Sequence, residues 1–292
     1  MTENSHSAFK SAPPRDNRPY DKRRLSYAGT FNDPWKVGTI RTIEWLTAKL
    51  QLLHRIRRFE RDGAPSGRPF WGKAMGYMGI DIQTPAEEVA LIPATGPLVV
   101  VANHPHGLVD GMVMAALISR VRGDFKILTR SLLTGIPEIA EFMIPVPFPH
   151  EENAREEGLK MRNDAMAALK AGGVVILFPA GAVACSKDWF GPAIEGEWHA
   201  FTHKMIMRSG ATVLPMYFPG QNSRWYQIAN KLSATLRQSL LLYEIRHALD
   251  KPQRPYIGRP LDPEELRPWA DNPRGFLAHM REHTLALGRT QP

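Results

Sequence analysis

Leu98-Val99-Val100-Val101-Ala102-Asn103-His104-Pro105-His106-Gly107-Leu108-Val109-Asp110-Gly111 decides the fold. Five apolar residues in a row, without alternation, read as a strand buried on both faces, as in a parallel sheet. The run breaks at a polar turn, and a helix pattern follows from about Asp110 to Arg120. The same grammar repeats outward. Phe125 to Leu128 reads as a second strand. Residues 151–170 read as a helix, acidic first and basic last, as the helix dipole favours, stopped by Gly172-Gly173. Val174 to Phe178 is a third strand, ending in Pro179-Ala180-Gly181. A helix over 195–209 and a strand from Ala211 to Phe218 come next, then a last strand over 254–260 and a helix over 273–288. Strands alternating with helices define an α/β fold: a mostly parallel sheet flanked by helices.

Upstream of the strand the character changes. Residues 1–73 hold 15 Lys and Arg against 7 Asp and Glu, and the rest of the chain holds 22 of each, so the whole net charge of +8 sits in the first quarter. Residues 1–33 read as a disordered basic arm. Residues 34–80 read as a basic amphipathic helical segment, with Ile40, Ile43, Leu46, Leu50, Leu53 and Ile56 on one stripe among Lys36, Arg41, Lys49, Arg55, Arg57, Arg58 and Arg61. Trp35 and Trp45 add amphipathic rings. Such a segment suits an anionic membrane surface, apolar face down. An acidic carrier protein would suit it too, whereas no nucleic-acid-binding signature accompanies the charge. Residues 81–292 form the main domain. No apolar run reaches the ~18 residues of a spanning helix, no secretory h-region opens the chain, and a single cysteine excludes an internal disulfide framework. A cytoplasmic, peripheral protein is expected.

The carboxyl ends of strands are where α/β sheets gather ligands. His104, just past the first strand, with Asp110 a helical turn further on, can make an oriented base: the carboxylate holds one ring nitrogen and the other takes a proton from a hydroxyl. His106 is a rival base. His104-Pro-His106 with Asp110 also suggests a metal-dependent hydrolase, to which His199 and His203 could add ligands, but the spacing fits neither a metallo-β-lactamase nor a zincin pattern, and no metal is expected. Cys185 lacks an evident base and reads as a small buried residue. Trp189, Phe190, Trp225 and Tyr226 are candidates to line an apolar channel or to pack in the core or in turns.

The stretch from about 97 to 224 resembles the PlsC-like glycerolipid acyltransferase superfamily, and within it the hemolysin-like, lyso-aminolipid (ornithine-lipid type) O-acyltransferase branch. Asn103-His104 with Asp110 is similar to the first motif, and Phe178-Pro179-Ala180-Gly181 to the third. Leu214-Pro215 fits the fourth, and Gly220-Gln221-Asn222-Ser223 resembles a segment of the hemolysin-like branch. The resemblance implies transfer of a fatty acyl group from acyl carrier protein or acyl-CoA to a lysolipid hydroxyl, with no bound cofactor, at the cytoplasmic face of the inner membrane. It implies His104 and Asp110 as catalytic residues, His104 being favoured because it follows Asn directly. Asn103, His106, Gly107, Arg130, Phe178, Pro179, Ala180, Gly181 and Pro215 become the substrate-binding candidates. The departures are informative. Five residues rather than four separate His104 from Asp110. Ala180 stands where the family has Glu, Val183 where Arg follows, and the second-motif region Ile144-Pro145-Val146-Pro147-Phe148 carries no Arg. Losing those groups removes charge-assisted contacts suited to a phosphate dianion. An acceptor without a terminal phosphate is therefore expected, a lyso-aminolipid first and 1-acylglycerol-3-phosphate next, with Arg130 as partner for its carboxylate.

Overall fold

The computed structural model of the protein describes residues 20, 25–30, 33–129, 137–147 and 153–289. Its strands are β1 (Leu98–Ala102), β2 (Phe125–Thr129), β3 (Met143–Pro145), β4 (Val174–Leu177), β5 (Cys185–Ser186), β6 (Ala193–Ile194), β7 (Thr212–Tyr217) and β8 (Tyr256–Ile257). Its helices are α1 (Pro34–Glu44), α2 (Leu50–Arg61), α3 (Arg68–Met78), α4 (Ala86–Val89), α5 (Leu108–Val121), α6 (Pro137–Ala140) and α7 (Ala154–Lys170), followed by α8 (Ala200–Ser209), α9 (Arg224–Leu232), α10 (Ala234–Ser239), α11 (Leu241–Ala248), α12 (Pro263–Leu266) and α13 (Pro273–Ala286).

Six strands form one sheet in the order β3-β2-β4-β1-β7-β8, all pairs parallel except the edge pair β7–β8. The quoted run is its centre. Val99 lies opposite Val175 on one side and Val213 on the other. Both faces of β1 are buried, which is why its sequence shows no alternation. Leu98, Val100 and Ala102 pack into an apolar layer with α3, α5 and α11. Val99 and Val101 pack into a second layer with α7, α8 and α13. Pro215 sits in β7 opposite Val101. Its carbonyl accepts from the Gly258 N–H at 2.9 Å. The N–H and C=O of one strand residue point the same way, so the donor that proline lacks is lost from the edge side and the β1 ladder stays whole.

The N-terminal helices depart from the single stripe read in the sequence. A π turn over Trp45–Lys49 joins α1 to α2. This wider turn sets the helical phase back by about one residue. The buried face therefore runs Ile40, Glu44, Ala48 and Leu52, while Leu46 and Leu50 turn outward with Trp35 and Trp45. Glu44 accepts from Ser26 Oγ at 2.6 Å and the Tyr27 N–H at 2.8 Å. Burial pushes its pKa up, against those hydrogen bonds. Within the stretch read as a basic arm, Tyr20 is buried, and its hydroxyl donates to Glu138 at 2.9 Å. The helix expected over 195–209 begins at Ala200, because residues 195–199 run extended into the site.

Candidate active site

The turn after β1 is folded around one carboxylate. Asp110, fully buried in the first turn of α5, accepts the backbone N–H of His106 at 2.8 Å and of Gly107 at 3.1 Å on Oδ2. The same oxygen receives His104 Nδ1 at 3.1 Å, and Oδ1 receives His106 Nδ1 at 2.9 Å. Gly107 makes the turn at φ +75°, and a Cβ there would press on Val183 Cγ2 at 3.4 Å. This turn absorbs the extra residue between His104 and Asp110, and the pair meets.

Four donors on one buried carboxylate favour its charge. Burial alone would raise the Asp110 pKa, but the charge and hydrogen bonds of His106 and His104 pull it below the usual carboxylate value. Burial also depresses His106. The Asp110 charge and hydrogen bond, with a smaller contribution from Glu244, outweigh it and hold His106 above the ordinary imidazole value. An ionised Asp110 selects the tautomer with the proton on Nδ1 in each ring. His104 Nε2 is then a lone-pair acceptor, without a partner among the described residues.

Each neighbour of His104 fixes it. The Phe178 ring stacks on the imidazole with centroids 3.8 Å apart and planes 20° from parallel. The Ala184 N–H donates to the His104 carbonyl at 2.8 Å. The His104 N–H donates to Glu195 Oε2 at 3.0 Å, and Glu195 also accepts from Trp198 Nε1 at 3.3 Å. Burial raises the Glu195 pKa, and these hydrogen bonds only partly oppose it.

The structure thus brings together His104, His106, Gly107, Asp110 and Phe178. Asn103, expected to bind substrate, has its side-chain amide engaged within the fold. Its amide clamps β1 to the end of β7, donating to the Phe218 carbonyl at 2.8 Å and accepting its N–H at 2.7 Å. Pro215 lies within β7, opposite Val101. Pro179 and Ala180 are buried behind Phe178, where the Pro179 carbonyl accepts the His199 N–H at 3.0 Å and Gly181 closes the turn onto the Phe178 carbonyl at 2.9 Å. Arg130 lies outside the described residues, as does Phe148. His203 is buried on the far side of α8, with Nε2 3.1 Å from the Trp269 carbonyl, so it does not join His104 and His106. Cys185 is half-buried, and burial pushes its thiol pKa up. Trp189, Phe190 and Trp225 are exposed, and Tyr226 alone of that group is buried. A separate recess of about 560 Å³ opens between α3 and the end of α5, lined by Arg68, Met75 and Ser119 and by none of the site residues above. Sequence reasoning missed Glu195, which no motif marks, and Gly220, at φ +93°. A Cβ on Gly220 would stand 3.0 Å from His106 Nε2. The Gly220-Gln221-Asn222-Ser223 segment was its one signal.

A buried strand ending in an Asp-held imidazole, on a parallel sheet, defines the class. The family model described as Acyltransferase matches residues 70–249, and the chain belongs to that family. A lyso-glycine lipid O-acyltransferase from Phocaeicola vulgatus is 24% identical over 153 residues, 52% of this chain and 52% of its own. A protein of the same name from Bacteroides thetaiotaomicron is 25% identical over 157 residues, 53% of this chain and 55% of its own. The chain thus spans about half the length of the curated relatives it matches. The crystal structure of the 1-acyl-sn-glycerophosphate (LPA) acyltransferase PlsC from Thermotoga maritima aligns over 92% of this chain and 93% of its own, with a TM-score of 0.50 and 14% identity, a likeness of fold. The PlsC-like resemblance of residues 97–224 holds, and with it the mostly parallel sheet flanked by helices.

Proposed function

We propose that the protein transfers a fatty acyl group from a thioester, acyl carrier protein or acyl-CoA, to the hydroxyl of a lyso-aminolipid. The observation that carries this reading is His104: Nδ1 on a buried carboxylate, ring stacked on Phe178, and Nε2 without a partner among the described residues. Nε2 takes the acceptor hydroxyl proton as the oxygen attacks the thioester carbonyl. Asp110 stabilises the imidazolium. The carbon–sulfur bond then breaks, and the leaving thiolate takes up that proton, so no acyl-enzyme forms. The names of the two curated relatives support an aminolipid acceptor. So does Ala180, where the glycerol-phosphate enzymes of the superfamily carry Glu.

A membrane partner fits the same reading. Trp35 is 87% exposed, and Trp45, Leu46 and Leu50 are exposed on the same helical stretch among Lys36, Arg41, Arg57 and Arg58. No helix among the described residues is long and apolar enough to cross a membrane. We therefore place the protein peripherally on the cytoplasmic face of an anionic membrane, held by α1 and α2.

The test is transfer by the purified protein from each donor to a lyso-N-acylglycine lipid and to lysophosphatidic acid. The glycine lipid is the expected acceptor. His104→Ala should lower kcat/KM by ~100- to 10,000-fold, the worth of a general base, with the fold intact. More than half of normal activity in that variant, or lysophosphatidic acid preferred by a wide margin, would overturn the reading.

A further inference from the structure

We propose that the hairpin tip Lys187–Phe190, backed by α9, is a second membrane-inserting contact, built directly onto the backbone of His104. The inference goes beyond the acyl-transfer reading and rests on it only in taking the partner to be a bilayer.

The first observation is a rigid display of apolar surface. Phe190 is 80% exposed, Trp225 66% and Leu232 61%, with Trp189 and Ile194 also exposed. These groups are held out by hydrogen bonds and do not lie on a loose loop. β5 and β6 pair antiparallel, Cys185 with Ile194 and Ser186 with Ala193. The Ser186 N–H donates to Gln227 on α9 at 2.8 Å, and the Ala193 N–H to Gln221 at 2.7 Å. Arg224 Nη1 donates to the Gly191 carbonyl at 2.9 Å, and Lys231 Nζ reaches the Lys187 carbonyl from the other end of α9. The tip therefore lies along α9, and Trp225 and Leu232, seven residues apart on that helix, share one face beside it.

The second observation is charge. Lys187, Arg224 and Lys231 are exposed around this surface, opposed by Asp188 alone within the tip. Indole and phenyl rings inside a rim of cations match the boundary between anionic head groups and acyl chains. The tip thus complements the Trp35 and Trp45 surface of α1 and the π turn, and it belongs to a different part of the chain.

The third observation is position. The hairpin leaves at Ala184, whose N–H donates to the His104 carbonyl, and returns at Glu195, whose carboxylate accepts the His104 N–H. Both feet stand on one residue. Each arm is about five residues, so at ~3.3 Å per residue the tip lies at most roughly 17 Å from the feet that flank His104. A tip seated in the acyl boundary would hold the imidazole within reach of a hydroxyl carried on a lipid.

The experiment uses the full chain with Cys185→Ser and Phe190→Cys, an environment-sensitive fluorophore at position 190, and vesicles of phosphatidylcholine with or without phosphatidylglycerol. The expected result is a blue shift and intensity gain on the anionic vesicles, quenched by brominated acyl chains. Protein that co-sediments with those vesicles while the fluorophore stays unchanged overturns the proposal, as does the absence of vesicle binding. A shift produced by acyl carrier protein and not by vesicles also overturns it and makes the tip a protein contact. In a second arm, Phe190→Glu should weaken partitioning onto anionic vesicles on the order of tenfold, from the apolar area withheld from lipid. Its rate on an acceptor dispersed below its micelle concentration should stay within about twofold. Unchanged partitioning contradicts the proposal. Insertion without any acyl transfer would sink the activity reading and leave this one standing.

Discussion

Asp110→Asn tests the site most sharply, because it removes a charge and almost no volume. Oδ2 serves three donors and Oδ1 one. The asparagine should therefore settle with its oxygen at the Oδ2 position and its NH2 toward His106, which must then accept on Nδ1. His104 keeps its Nδ1–H bond and its tautomer, so orientation survives. On the proposed mechanism, what is lost is the negative charge that stabilises the imidazolium formed during proton transfer. Hydrogen bonds to charged groups contribute about 1.5–3 kcal/mol against about 0.5–1.5 for neutral ones, and relief of the buried charge offsets part of that difference. The expected stability loss is about 1–3 kcal/mol in urea unfolding. The activity loss should be far larger, ~100- to 10,000-fold in kcat with KM nearly unchanged. Asp110→Ala is the less informative variant, since it also strands the His106 and Gly107 N–H groups at ~1–3 kcal/mol each. Asp110→Asn with more than a tenth of wild-type kcat and native stability would refute the reasoning that the carboxylate works electrostatically through His104.

Glu195 should behave as a positioning residue. Glu195→Gln keeps an acceptor for the His104 N–H and relieves a carboxylate whose pKa burial has raised. Stability at neutral pH should hold or rise, with kcat/KM within about fivefold, whereas Glu195→Ala should cost ~1–3 kcal/mol and depress kcat more than KM; equal kinetics in the two variants would contradict this role. The His106 pair predicts a pH dependence. Its folded pKa is raised, so its stabilisation is complete below the ordinary imidazole value of about 6.5 and is lost as pH rises through the raised one. Urea unfolding of the wild type and His106→Asn should show their stability gap narrowing from pH 6 to pH 9, and a constant gap would show that the pair carries no charge.

The centre of the sheet was legible because its strands are buried on both faces. Leu98–Ala102 and Val174–Leu177 are continuous apolar runs bounded by turn residues, and their pairing follows from alternation with helices. The His104–Asp110 contact was legible as a motif, and the turn at Gly107 shows how the longer spacing still closes. Other features left no periodic signal. β5 and β6 are two residues each, and Ser233 divides α9 from α10. Glu195 is one carboxylate in a short polar stretch, and only the return of the hairpin brings it to a residue 91 positions away. The π turn was hidden for a different reason: a stripe written at 3.6 residues per turn assumes the phase that the wider turn shifts.

Two imidazoles on one carboxylate raise the question of which serves as base, and the two rings differ in what holds them. Both present Nδ1 to Asp110, so only Nε2 is left to meet a hydroxyl in either ring. His106 Nε2 looks onto Gly220, where even one added carbon would approach to 3.0 Å. The His104 ring is held by Phe178 on one face, and the residue's backbone C=O and N–H are bonded to the Ala184 N–H and the Glu195 carboxylate. A general base needs an open nitrogen on a fixed ring. His106, charged more readily because of Asp110 and Glu244, instead steadies the carboxylate on which His104 depends. On the proposed reading proton transfer falls to His104, while His106 shares the carboxylate that orients it.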